Sequence, residues 1–121
     1  MELDEDALTR FFGSPPLPMG EEERAFFGAL AYEIQEGTLT LHVSFSTNFG
    51  DVRFHITAEG RDEPLLQSSL TEIRAVTVVE DPDVLTITGR GRDSAAAADE
   101  PVLRAVVTLD PLAVRLEDGD V

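Results

Sequence analysis

Thr38-Leu39-Thr40-Leu41-His42-Val43-Ser44-Phe45-Ser46 and Asp51-Val52-Arg53-Phe54-His55-Ile56-Thr57-Ala58 flank the short stretch Thr47-Asn48-Phe49-Gly50. In both arms apolar and polar residues alternate with period two, the signature of a half-buried strand with one face on a core and one in water. Thr47 to Gly50 is turn chemistry. The apolar set is odd-numbered in the first arm and even-numbered in the second. If both sets face the core, paired residue numbers must sum to an odd value, because a slip of one residue turns a whole strand over. A loop of Thr47 to Gly50 pairs Ser46 with Asp51, and the same register sets His42 opposite His55. Directly opposed side chains have Cβ atoms about 4.5–5.5 Å apart.

Outward from this hairpin the pattern continues. A strand is expected over about 29–35 and another over 65–70. Ile73 to Val79 is rich in β-branched residues and apolar on both faces, which suits a central strand. Val84 to Thr88 follows the turn Glu80-Asp81-Pro82-Asp83, and Val102–Leu109 and Leu112–Leu116 form a last hairpin around Asp110-Pro111. The stretch 21–35 is ambiguous: Phe26, Phe27, Leu30 and Ile34 fit a helical face, whereas Gly28 weakens a helix interior. The expected fold is mainly β (α+β by count): an antiparallel meander of about six to eight strands forming a sandwich or partial barrel, with a short N-terminal helix.

The chain of 121 residues reads as a single domain, 1–121. Segment 1–13 is the helix: Asp4 is its candidate N-cap, Glu5 and Asp6 suit its first turn, Leu8, Phe11 and Phe12 share a face, and Gly13 is a plausible stop. Segment 14–20 is a Pro-rich connector, 29–117 the antiparallel β core, 89–101 a flexible loop of small residues, and 118–121 an acidic tail expected to fray.

The charge is the most unusual property. Twenty-four acids stand against nine bases, giving −15, and all nine bases are arginine, so the chain is Lys-free. Such a field repels nucleic acid phosphates and anionic lipid surfaces and attracts basic partners. Genome composition or adaptation to a salt-rich interior would produce the same balance. There is no cysteine, hence no disulfide, thiolate nucleophile or Cys-ligated zinc. The acidic start Met1-Glu2-Leu3-Asp4-Glu5-Asp6 is unlike a signal peptide, and no apolar run approaches membrane-spanning length, so a cytoplasmic location is expected.

Few residues could carry chemistry. His42 and His55 are the only histidines, and neighbouring imidazoles on a polar face could ligate a metal or relay a proton, with Glu59 on the same face but farther along. A solvated polar face on which the two fall together is the plainer reading, so neither a metal nor a cofactor is assigned. Gly89-Arg90-Gly91-Arg92 could clamp an anion through Arg90 and Arg92, or could pair with the chain's own acids. Glu80, Asp81 and Asp83 match no EF-hand spacing, and Pro15 and Pro18 give only a bare P-x-x-P. No nucleophile elbow, Walker loop or H-E-x-x-H motif occurs, which points away from an enzyme.

The sequence therefore supports two functions. The leading one is an acidic binding or adaptor protein that docks a protein partner, a basic one by its charge, as an immunity-type inhibitor of a basic toxin would. The other is a β-sandwich or barrel that binds a small ligand, or acts as a weak metal-dependent enzyme, on the His42/His55 face. An edge strand left open would also allow a homodimer.

Overall fold

The computed structural model describes residues 3–80, 83–91, 102–109 and 111–119. Two short helices, α1 (Glu5–Phe12) and α2 (Glu21–Phe27), precede seven strands: β1 (Ala29–Glu36), β2 (Leu39–Ser46), β3 (Asp51–Ala58), β4 (Leu66–Val79), β5 (Val84–Gly91), β6 (Val102–Leu109) and β7 (Leu112–Asp118). They form one antiparallel sheet in the order β1-β2-β3-β4-β5-β6-β7, so every strand pairs with its neighbours in sequence. This is the expected meander, and the sheet is not closed into a barrel. Among the described residues, no helix is long and apolar enough to cross a membrane.

The inner face carries the core. Leu41, Val43, Phe45, Val52, Phe54, Leu70, Leu85, Ile87 and Val107 are fully buried, and α1 adds Leu8, Phe11 and Phe12 to the same cluster. Seven strands spaced about 4.8 Å apart would span roughly 29 Å if flat. An eight-residue helix is only about 12 Å long. Such a helix could not cover the whole of a flat sheet, and the core gathers side chains of β1 to β6 together with α1 into one cluster.

One bend is visible in β4. Its register against β5 shifts between Thr71 and Ala75, and Glu72 there has φ 48°. A bulge of this kind kinks its strand and increases the local twist. Gly89 makes the kink possible, because a Cβ at that position would lie 2.7 Å from both the Thr71 carbonyl oxygen and Ile73 Cδ1.

α1 follows its sequence signals. The Asp4 carboxylate accepts a hydrogen bond from the Ala7 N–H at 3.0 Å, and Gly13 ends the helix in the left-handed conformation. Phe12 stacks on Tyr32 with ring centroids 4.8 Å apart, and the Tyr32 hydroxyl donates to the Glu5 carbonyl at 3.3 Å. Burial of this phenol raises its pKa, the hydrogen bond with Thr9 opposes the shift, and the charges of Glu5 and Asp6 add to it.

The ambiguous stretch resolves into both elements, helix over Glu21–Phe27 and strand over Ala29–Glu36. Gly28 is the boundary, a C-cap at φ 62° rather than a weak point inside a helix. A seven-residue helix does not persist alone in water, and no residue of α2 is buried. Its support comes from the β2–β3 turn. The Asn48 side-chain amide donates to the carbonyls of Ala25 and Phe26 at 3.2 and 2.9 Å, and Thr47 Oγ1 donates to the Gly28 carbonyl at 3.0 Å. The Asn48 backbone N–H donates to the Phe27 carbonyl at 3.1 Å.

Two expectations need correction. The segments 65–70 and 73–79 belong to one long strand, β4, which is central as expected but not buried on both faces. Ile73, Val76 and Val78 pack against the core, whereas Val79 is half exposed, because no second layer among the described residues covers the outer face. The loop expected over 89–101 begins later: Gly89 to Gly91 extend β5, since Arg90 pairs with both Thr71 and Val102, and 92–101 lie outside the described residues. At the C-terminus β7 takes in Asp118.

Because α1 closes the inner face through Phe12, Phe12→Ala is expected to cost about 3–5 kcal/mol. Urea unfolding measures this. A loss below about 1 kcal/mol would mean that α1 is dispensable to the core.

Candidate functional site

The pairing of β2 with β3 follows the expected register, with Ser46 opposite Asp51 and His42 opposite His55. The imidazoles stack with centroids 4.7 Å apart and an interplanar angle of 15°. They occupy the outer face, because the core side of both strands is taken by Leu41, Val43, Phe54 and Ile56. Ser44, Arg53, Gln67 and Ser69 join them around an open polar depression of about 640 Å³.

Strand pairing extends the row to either side. Glu33 of β1 lies opposite His42, and Gln67 of β4 lies opposite His55. The row Glu33–His42–His55–Gln67 therefore crosses four strands. Sequence reasoning missed both ends, although the signal for Glu33 was present: the tight turn at Gly37-Thr38 pairs Glu36 with Leu39, and that register sets 33 opposite 42. Gln67 had no such signal, because the loop between β3 and β4 is long and irregular.

The His42 pKa lies below the ordinary imidazole value of 6.5. Partial burial of the ring is the main cause, the neighbouring His55 acts in the same direction, and Glu33 opposes both. His42 is thus held toward its neutral form. Neutral imidazole is also the form that ligates metals. Yet among the described residues no group of three or more His, Cys, Asp or Glu is placed to hold an ion. Glu59 stands in the turn after β3, where its backbone N–H donates to the Thr38 carbonyl, and it does not line the depression.

The other candidates are dispersed. Arg90 lies in β5 with its guanidinium on the Glu72 carboxylate, across the bulge. Arg92 and Asp81 lie outside the described residues. Glu80 forms an ion pair with Arg10 at 3.5 Å. Pro15 and Pro18 belong to the connector, which runs beside the sheet edge where the Leu17 N–H donates to the Ala31 carbonyl at 2.8 Å.

No protein-family model matches the chain. No curated protein matches it in sequence. Among solved structures, a chain of the contact-dependent growth inhibition toxin–immunity protein complex from Klebsiella pneumoniae 342 has a similar fold. The two agree with a TM-score of 0.72 over 95% of this chain and 93% of the other, at 14% sequence identity.

Two outcomes are expected at the histidine pair. His42 has a folded pKa below its unfolded one, so its contribution to stability is complete above the unfolded value and is lost as pH falls through the folded one. Urea midpoints at about pH 7.5 and about pH 5.5, on either side of the imidazole range, should therefore converge in His42→Gln relative to wild type; an unchanged difference would show that burial does not hold His42 neutral. Zinc calorimetry should give no stoichiometric binding at micromolar concentration, since two imidazoles alone leave a tetrahedral site half filled. A micromolar isotherm abolished by His42→Ala would establish a metal site instead.

Proposed function

We propose that this chain is an acidic protein-binding module that neutralises a basic partner, in the manner of an immunity protein. The observation that carries the reading is the charge of −15 without a single lysine, on a fold shared with a chain of a toxin–immunity complex. Of the two roles in such a complex, that of inhibitor suits this chain. Its field repels phosphate backbones and favours a cationic protein surface. The two histidines stack on each other, and the sequence supplies neither a cysteine nor a lysine as nucleophile.

The depression at His42 and His55 supports the second reading, a site for a small ligand, through its polar lining alone. It is open and holds no charged pair poised on a common point, so it fits a contact surface better than a reaction site. Self-association is disfavoured by the same charge, and the outer edge strand β7 carries Arg115, Glu117 and Asp118, which blunt it against pairing.

Association with the basic partner should be fast and sensitive to salt. A pull-down is expected to capture the partner at about 0.05 M salt and to retain at least tenfold less at about 0.5 M, where the Debye length is only a few ångströms. Absence of a partner at every salt concentration, with stability that instead climbs steeply into molar salt, would make the acidity a habitat adaptation.

A further inference from the structure

Three phenylalanines are held in the open at the tip of the β2–β3 hairpin. Phe26 is 64% exposed, Phe27 42% and Phe49 53%. Their rings touch one another: Phe26 and Phe27 meet edge to face at 4.8 Å, and each lies within 5.7 Å of Phe49. A fully exposed aromatic side chain of this kind presents roughly 200 Å², so the three together leave on the order of 300 Å² of aromatic surface in water. That is as large as the main apolar patch of a typical monomer, and such patches mark contact sites.

The exposure is built rather than incidental. α2 buries nothing, yet hydrogen bonds from Thr47 and Asn48 cap its last carbonyls and lock it to the hairpin. Gly28 allows the approach, since a Cβ there would fall 2.0 Å from Thr47 Oγ1. Rigid aromatic rings that lose little freedom on binding are what interface anchors are made of.

The surroundings select the occupant. Glu21, Glu22 and Glu23 fill the first turn of the same helix, and all three are exposed. A second copy of a chain carrying −15, or an anionic membrane, would be repelled from this patch. Phe27 also borders a shallow hollow with Met19, Ser44 and Arg53, and the last two line the histidine depression as well. The patch is thus continuous with the polar outer face of the sheet.

We propose that the Phe26–Phe27–Phe49 patch is the anchor by which this chain docks a basic protein. The rings enter an apolar site on that protein, and its bordering Arg and Lys side chains meet Glu21, Glu22 and Glu23. The proposal rests on the acidic-module reading above and assigns it a surface.

The test uses a displayed library of peptides about a dozen residues long, selected on the full wild-type chain at low salt. Enriched peptides are expected to combine Arg or Lys with aromatic or aliphatic residues. Their affinity should fall at least tenfold in Phe26→Ala/Phe49→Ala, as hot-spot truncations do, and be unchanged in Leu116→Ser on β7. The urea midpoint of the double variant should stay at the wild-type value, because the rings are exposed. Glu21→Gln/Glu22→Gln/Glu23→Gln, which leaves the rings in place, should weaken binding and flatten its salt dependence. Basic, salt-sensitive peptides indifferent to the phenylalanines would overturn this site while leaving the acidic-module reading standing. Peptides without basic residues, or no enrichment at all, would overturn both.

Discussion

The register of the β2–β3 hairpin is the constraint on which the rest of the molecule depends. Val43, Phe45, Val52 and Phe54 are all fully buried, and a slip of one residue would carry every one of them to the outer face. The dry inner face therefore admits the pairing seen and excludes its neighbours. Everything functional is a by-product of that choice. It sets His42 against His55, it sets Ser44 against Arg53, and it turns the chain at Thr47 to Gly50 so that Thr47 and Asn48 face the end of α2. Without the hairpin tip the helix has no core contact to hold it.

Features whose cause is local were legible in the sequence. α1 is read from Asp4, Gly13 and the Leu8–Phe11–Phe12 face because its cap, its stop and its core contacts all lie within ten residues of one another. The strands are read from alternation because water on one side and core on the other impose a period of two. The histidine pair followed from parity together with the four-residue turn Thr47 to Gly50. α2 was legible only as one of two readings of 21–35, because its stabilising partners, Thr47 and Asn48, are about twenty residues away and make hydrogen bonds, which leave no hydrophobic period. Its two phenylalanines fit a core-facing helical pattern, whereas both are exposed and no second layer among the described residues covers them. The bulge in β4 escaped for a similar reason: it depends on the close approach of Gly89 to Thr71 on another strand.

The same single layer explains the character of the outer face. Half of every strand's side chains point away from the core, and among the described residues Met19 of the connector and α2 lie near that side. A sheet so exposed must be polar, and here the polarity is serine, threonine, histidine, arginine and acid, as in Ser44, Thr40, His42, Arg53 and Glu33. Several arginines are engaged with acids of the chain itself, as in Arg10–Glu80, Arg90–Glu72 and Arg104–Glu117. These pairs neutralise positive charge locally and leave the excess of carboxylates unopposed, which sharpens the negative field that a partner meets.

Charge and aromatic surface act at different ranges, and their placement in one region divides the work of association. The field of the carboxylates extends about 8–10 Å at moderate salt. It can raise the rate of encounter and orient the approach, but surface charges add little to a complex once formed. The rings act only on contact, where excluding water from aromatic surface governs how long partners stay together. Salt should thus act mainly on the rate of association, and loss of the rings mainly on the rate of dissociation. A chain with the acids alone would meet many cationic proteins and hold none of them. With three rings fixed at the hairpin tip, it can retain the one whose surface offers a matching apolar site.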